Sequence, residues 1–521
     1  MKKIVAGALA LGMLCAASGC GDKKQAGTEE NANTFTYWCS MNGAISAAYK
    51  SLNEMAMYQE LERITGVHID FIHPTGDQAV EQFNLMVASR NLPDMVEYNW
   101  STYPGGPDKA IKDNLIVSLN DYMDELPNLK KWVTNDDVIE KGSKTDSGQY
   151  YGFPSINTSN YFSFSGLMLR QDWLDQVNLP VPETIAQWDT VLRAFKNQLG
   201  VESPLTGQKW MIQMTDTDST FNNGFGVAKA LFVEDGKVKF GPLEPGYKEW
   251  IAQLQTWYAD KILDNDFMTN TGNIVEAKMT NGTSGAVFGP VGGSMGVYLT
   301  RMKDDPSYKL VGAPYPAKEE GAPAYFKASA YTGKVTDPFL CITNKCKDPK
   351  GAAKWMDYLY SDEGYMLFNF GIEGKTYQMV DGKPVYTDEI LHNPNGYSIV
   401  EAMCRNMKSA YTAPGLNQAP EYLEQYYQEQ SQRDAFEVWE KYPETTELHL
   451  LPNLTFPYEV SGELATLKTE LITYCEESIT RFVTGEQSMG QFDTFVNQLK
   501  SMGVDRYIEI NQKAYDTYMA R

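Results

Sequence analysis

Strands and helices alternate from Phe35 onward, and that alternation constrains the fold more than any other feature of the chain. Phe35-Thr36-Tyr37-Trp38 is an aromatic and β-branched run that predicts a strand. A helix is expected over Leu52–Ile64, stopped at Thr65-Gly66 because glycine accepts the left-handed conformation at a helix C-terminus. Val67-His68-Ile69-Asp70-Phe71 alternates as a strand does. Val80, Phe83 and Val87 then recur at helical spacing, Asn91-Leu92-Pro93-Asp94 breaks that helix, and Met95-Val96-Glu97-Tyr98 predicts a third strand. A β-α-β-α-β run of this kind builds a parallel α/β sheet.

A second α/β region begins near Tyr161. Leu167–Leu169 reads as a strand, followed by a helix around Asp172–Val177. Pro180 and Pro182 punctuate the chain before Thr184, a cap for a helix over Ile185–Gln198. Ala286-Val287-Phe288 and Pro338-Phe339-Leu340-Cys341-Ile342 read as buried strands. Asp348-Pro349 opens a helix over Lys350–Tyr360, with Asp at the cap and Pro in the first turn. The last region is helical: Phe492, Phe495, Val496 and Leu499 share one face, and Gly503 ends that helix. With 521 residues the chain has room for more than one such domain.

Residues 1–20 give an address. Lys2 and Lys3 precede an apolar stretch, Ile4–Ala17, too short to span a bilayer as a mature helix, and Ala17-Ser18-Gly19 lead into Cys20. This is a signal peptide over residues 1–19. The small residues before Cys20 resemble a bacterial lipobox, with Ala17 where leucine is usual; the resemblance implies cleavage before Cys20 and lipid on its sulfur. Residues 20–33 are then the lipidated cysteine and a small, polar, flexible tether. No second apolar stretch of transmembrane length follows, so membrane attachment is expected through lipid alone.

Charge and composition narrow the partners. Lys and Arg number 45 against 67 Asp and Glu, a net charge of −22, which argues against nucleic acid, whose phosphates need clustered cations. Cys39, Cys341, Cys346, Cys404 and Cys475 remain beyond the leader; an odd number cannot all pair, and Cys341 and Cys346 lack zinc-knuckle spacing. With four histidines (His68, His73, His392 and His449) a histidine-rich metal site is not expected, and no cofactor is implied. Aromatic residues reach 12 %, more flat rings than a core needs, which points to a stacking surface.

Several segments together resemble the bacterial extracellular solute-binding proteins of family 1, in their long, lipid-anchored carbohydrate-binding branch. They are Leu61-Glu-Arg-Ile-Thr-Gly-Val67, Asn91-Leu-Pro-Asp-Met-Val96, Leu169-Arg-Gln-Asp-Trp-Leu174 with Leu179-Pro-Val-Pro-Glu-Thr184, Phe370-Gly-Ile-Glu-Gly-Lys375 with Tyr377, and Ile510-Asn-Gln-Lys-Ala-Tyr515. Their order and spacing span almost the whole mature chain. The resemblance implies a two-lobe, periplasmic-binding-protein-like (type II) α/β fold with a hinge between lobes. It also implies delivery of a sugar or oligosaccharide to ABC permease subunits. Lobe 1 is expected over residues 34–160 plus about 335–410, and lobe 2 over about 161–334 plus 411–521. A monomer is expected. Where relatives carry a calcium loop, Asn197-Gln-Leu-Gly-Val-Glu-Ser-Pro204 holds too few oxygen ligands, so no metal is assigned.

In open α/β sheets ligands bind beyond the carboxyl ends of the strands. A sugar offers C–H faces to aromatic rings and hydroxyls to polar side chains. After the first strand come Trp38, Ser40 and Asn42; after the third come Asn99, Trp100 and Tyr103. Asn157 and Tyr161 lie near the first lobe crossing. In lobe 2, Trp210 and Asp216 flank an expected strand, Gly289 opens a glycine-rich loop after Phe288, and Tyr331 precedes the strand returning to lobe 1. Relatives often place a stacking tryptophan in that glycine loop, where Val291 stands here. Each residue has a second use: tryptophan rings fill cores, and asparagine makes turns.

The alternative class is a secreted hydrolase. Gly292-Gly293-Ser294-Met295-Gly296 fits the nucleophile-elbow pattern between a strand and a helix, with His392 or His449 as candidate base, although Gly289-Pro290-Val291 separates it from its strand. A glycosidase using two carboxylates is a matter of spatial separation that sequence does not reveal. Neither is preferred to a binding protein without catalysis.

Overall fold

In the computed structural model of the chain the described residues are 33–75, 78–159, 163–214, 220–326, 334–407, 413–417, 419–441 and 449–521. Their strands are β1 (Thr34–Trp38), β2 (His68–Ile72), β3 (Met95–Tyr98), β4 (Phe153–Asn157), β5 (Ser165–Arg170), β6 (Leu231–Glu234), β7 (Lys237–Phe240), β8 (Ala286–Pro290), β9 (Leu310–Ala313), β10 (Val335–Ile342), β11 (Tyr377–Val380), β12 (Lys383–Tyr386) and β13 (Gly415–Asn417).

The Asn91–Asp94 turn shows why the first strands assemble as they do. Asp94 Oδ2 accepts from Thr36 N (2.8 Å) and Thr36 Oγ1 (2.7 Å), while Asp94 N donates to Thr36 Oγ1. Thr343 N, just past β10, donates to Asp94 O. One turn therefore sets three strands side by side. The resulting sheet runs β13-β4-β10-β3-β1-β2, with β1 parallel to β2 and β3. The alternation of the opening residues predicts a parallel sheet, but β10 runs antiparallel to both β3 and β4. The reason is its route: the chain enters β10 from the other sheet, at the end where β4 leaves, so it must run opposite to β4.

The second sheet is β8-β5-β9, antiparallel throughout. The helix Gln430–Trp439 lies flat on it because two strand residues lack side chains. A methyl group on Gly166 would stand 2.2 Å from the Trp439 ring, and one on Gly312 would stand 2.5 Å from Ala435 Cβ. Trp439 Nε1 donates to Ala313 O, fixing the ring there. The long helix Tyr458–Thr484 packs on Pro245–Ala259, and the terminal helix Val504–Met519 packs on β7. No helix among the described residues is long and apolar enough to cross a membrane.

Local rules place most helix ends where expected. Thr184 and Gln187 form a capping box for Ile185–Leu199, Asp348 caps Pro349–Asp357, and Gly66 closes its helix at φ 67°. The helix expected over Leu52–Ile64 is instead interrupted at Met55, giving Leu52–Glu54 and Ala56–Thr65. Asn53 causes the break: its side chain bonds Ile69 O and Phe71 N, so β2 holds it out of helical geometry.

Asp337, near the start of β10, carries a pH signature. Its Oδ2 accepts from Asn453 Nδ2 at 3.0 Å, while its buried Oδ1 has no partner among the described residues. Burial pushes this carboxyl up to about 7, and the Asn453 bond only partly offsets it. An unfolded Asp ionises near 4. Between roughly pH 4 and 7 the unfolded chain therefore releases a proton that the folded chain keeps, and stability falls as pH rises through that window. Asp337→Asn is expected to raise the unfolding midpoint at pH 8, by roughly 2 °C, and to leave it unchanged at pH 4. Calorimetry at the two pH values checks this.

Candidate functional site

Both sheets turn one set of strand ends toward the chain crossings. Asn157 and Asn417, the last residues of β4 and β13, are paired, and Val335 at the start of β10 pairs with Ile156. In the other sheet Ser165 pairs with Pro290 and Leu167 with Ala313. The chain passes between sheets after β4, between β9 and β10, and after β13. In open α/β sheets ligands bind beyond such strand ends.

A cavity of about 290 Å³ opens at the first crossing. The helix Pro127–Val133 supplies Trp132, half-buried, whose Nε1 donates to Tyr360 O at 3.3 Å and so holds the ring as one wall. Asn157 and Ser159 form the floor, with Asn157 Oδ1 accepting from Ser159 N (2.9 Å) and Oγ (2.8 Å). Asp136 and Lys334 form the charged side. Asp136 Oδ1 caps the helix Asp137–Ser143 through Val138 N and Ile139 N, and Oδ2 pairs with Lys334 Nζ. Burial alone would raise the Asp136 carboxyl, but Lys334 and the two amides together hold it below the usual range, so it stays ionised. An indole ring, a hydroxyl, an amide and an ion pair around one space suit a polyhydroxylated ligand with apolar C–H faces.

Trp210 of the second lobe is a half-buried ring held by design of its surroundings. Its Nε1 donates to Gln208 Oε1 at 3.0 Å, its ring centre lies 4.9 Å from that of Phe288, and its carbonyl accepts from the buried Lys229 Nζ at 2.9 Å. Of the expected contacts, Asn157 lines the crossing cavity, and Trp210 stands half-buried beside Phe288.

Three of the expected contacts, Trp38, Trp100 and Gly289, are corrected. Trp38 and Trp100 are not available as platforms, because both rings are core: Trp38 is 4 % exposed and Trp100 0 %. They surround Phe83, which also stacks on Tyr98 at 3.9 Å. Gly289 is an interior β8 residue paired with Gly166, and the Ser294 hydroxyl fills the space over it, so it offers no loop amide to a ligand. Asn99 is a cap, its Oδ1 accepting from Ser101 N. The Tyr103 hydroxyl donates to Asp113 Oδ2 at 2.7 Å, and burial followed by that carboxylate pushes the phenol up to about 12. Ser40 is exposed past β1, and the Asn42 carbonyl starts the helix Gly43–Ser46. Tyr161, Asp216, Tyr331 and Cys20 lie outside the described residues.

Trp132, Asp136, Ser159 and Lys334 escape sequence reasoning. Only Trp132 carries a signal of its own, as a tryptophan on a short helix whose other face is already apolar.

The elbow geometry is absent at Ser294. Val291–Gly296 forms a wide helical turn between β8 and the helix Val297–Arg301, and the Ser294 hydroxyl neighbours Gly289 and Tyr298. His392 is bonded to Asp388, and His449 Nδ1 to Val233 O. Among the described residues no hydrogen bond joins either histidine to Ser294.

The family described as bacterial extracellular solute-binding protein matches residues 56–369, more than half of the chain. FusA of Streptococcus pneumoniae, named a fructooligosaccharide ABC transporter substrate-binding protein, is 24 % identical over 507 residues, covering 90 % of this chain and 88 % of FusA. Lipoprotein LipO of Bacillus subtilis is 23 % identical over 337 residues, covering 62 % of this chain and 64 % of LipO. Among solved structures, the alginate-binding protein AlgQ2 without calcium ion superposes with a TM-score of 0.73 at 21 % identity, covering 93 % of this chain and 98 % of that one.

Proposed function

The chain belongs to the bacterial extracellular solute-binding proteins, and from that premise we propose that it captures a sugar or oligosaccharide between its lobes and hands it to the permease of a carbohydrate ABC importer. The observation that carries the sugar reading is the crossing cavity, where the Trp132 ring meets Asn157, Ser159 and the Asp136–Lys334 pair. The relatives' names, a fructooligosaccharide-binding FusA and an alginate-binding AlgQ2, support the same ligand class. Binding residues on this reading are Trp132, Asn157 and Ser159 in the first lobe and Trp210 in the second. The lobes divide at the crossings, lobe 1 taking residues 34–160 and about 335–410 together with β13, which pairs with β4.

The protein acts without chemistry. Closure follows from the ligand binding the closed state more tightly than the open one. Cys20 carries a lipid that anchors a monomer to the outer face of the cell membrane, a reading that the lipoprotein relative LipO supports.

Thermal unfolding against a panel of mono- and oligosaccharides tests the proposal, with each sugar afterwards checked by chromatography. A ligand of the folded state raises the midpoint. A rise with the sugar recovered intact is expected. A rise with cleavage would make the protein a hydrolase, and no rise with any sugar would move the ligand class to peptides or other solutes. Ser294→Ala is expected to leave the midpoint and its ligand shift unchanged in the same assay, because that hydroxyl packs over Gly289 and bonds Tyr298.

A further inference from the structure

After its last crossing the chain returns to touch the first lobe. Asn453 Nδ2 donates to Asp337 Oδ2, Thr455 Oγ1 donates to Asp146 Oδ2 at 2.7 Å, and Gly105 N donates to Ser461 Oγ at 3.0 Å. The same stretch packs Leu454 against Ala514 and Tyr518 of the terminal helix. That helix belongs to the second lobe, since Gln512 bonds Val238 N and Gly236 O of the β6–β7 hairpin.

Arg521 completes the contact. Its Nε and Nη2 bond Asp146 Oδ1, its Nη1 bonds the carbonyls of Lys141 (2.9 Å) and Lys144 (2.7 Å), and Nη2 also bonds Thr455 Oγ1 (2.8 Å). The side chain is 6 % exposed. An exposed ion pair would contribute little; a buried guanidinium with every edge engaged is a rigid planar fork that salt barely screens. Its acceptors matter more than their number. Lys141 lies in the last turn of the helix Asp137–Ser143, whose first turn is capped by Asp136, the charged wall of the crossing cavity. One short helix is therefore held at its cavity end by Lys334 of a crossing and at its far end by the second lobe.

We infer that Arg521 is a positioning residue for ligand capture: by gripping the Lys141 and Lys144 carbonyls and Asp146, it fixes the angle between the lobes and the placement of the cavity wall that Asp136 forms. The ligand part rests on the solute-binding reading above; the lobe-angle part does not. A residue that merely cements the chain end would change the unfolding midpoint and nothing else.

The test measures the distance between spin labels at Asp121→Cys and Lys303→Cys, exposed positions on the two lobes, in the unliganded protein. The five cysteines among the described residues are buried, so the introduced thiols take the label. Arg521→Gln is expected to broaden and shift the distance distribution, with Arg521→Lys intermediate, and to weaken the sugar identified by the thermal panel about tenfold. A distribution superimposable on the wild type in Arg521→Gln overturns the inference whatever the midpoint does. A shifted distribution with unchanged affinity overturns its ligand part. Should Arg521→Gln not fold, Asp146→Asn and Thr455→Val remove the same grip from the other side and are read by the same criteria. If no sugar binds, the solute-binding reading fails while the distance measurement still decides the lobe-angle claim.

Discussion

Trp100→Ala is expected to lower the stability of the first lobe by about 3–5 kcal/mol, the cost of emptying a fully buried aromatic site, and to leave ligand affinity unchanged once measured below the new midpoint. Trp100 is 0 % exposed, lies edge-to-face with Phe83 at 5.2 Å, and donates its indole N–H to Val96 O at 3.3 Å. Truncation would leave a cavity beside Phe83, which is shared with Trp38 and Tyr98 and cannot collapse onto the gap without leaving them. Trp100→Phe should cost less, about 1–2 kcal/mol, because it keeps the apolar contact and gives up the N–H bond and some volume. Denaturant unfolding and calorimetric titration of the same variants separate the two uses of the ring. Loss of affinity at unchanged stability would restore Trp100 to the ligand surface.

That prediction shows where sequence reading succeeds and where it stops. The β-α-β-α-β start is legible because each element carries its own local signal: alternation in β2, the glycine stop at Gly66, the Pro-Asp turn. Even the chemistry of Asp94 is local in type, although its partner Thr36 is 58 positions away. A tryptophan at a strand end is different. Trp38, Trp100 and Trp210 look alike in sequence, yet two are core and one is half-buried, and what decides between them is Phe83, a helical residue whose packing only the assembled lobe reveals. The three residues of β13, all buried, carry no period at all. The grip of Arg521 on Asp146 joins positions 375 apart, and nothing in either neighbourhood announces it. The crossing cavity was half visible: Asn157 follows from the rule about strand ends, whereas Asp136 and Lys334 enter it by tertiary folding alone.

The second lobe should be as sensitive at a single carboxylate. Asp264→Ala is expected to cost about 3–5 kcal/mol, because it removes a buried carboxylate and leaves the buried Thr206 and Asn270 donors unpaired beside a partly exposed Lys278. Asp264 is 2 % exposed; its Oδ2 accepts from Lys278 Nζ (2.6 Å), Thr206 Oγ1 (2.8 Å) and Asn270 Nδ2 (2.8 Å), and its Oδ1 from Asp266 N. Burial alone would raise this carboxyl, but Lys278 first, then Asn270 and the other donors, hold it below the ordinary value. The sign follows: the contribution is complete above the unfolded pKa of about 4 and is lost as pH falls through the lower folded value. The wild type should therefore lose more stability than Asp264→Asn on acidification below pH 4. The effect should also reach the ligand surface. Asn270 O accepts from Gln208 Nε2, and Gln208 Oε1 receives the Trp210 indole N–H, so the carboxylate sits three hydrogen bonds behind the ring proposed to meet the sugar. Asp264→Asn, which keeps the shape and loses the charge, is expected to fold and to show altered Trp210 fluorescence, read against a Trp210→Phe control. An unaltered tryptophan signal together with an unchanged acid limb would mean that the carboxylate only fills space and that Gln208 and Phe288 hold Trp210 without it.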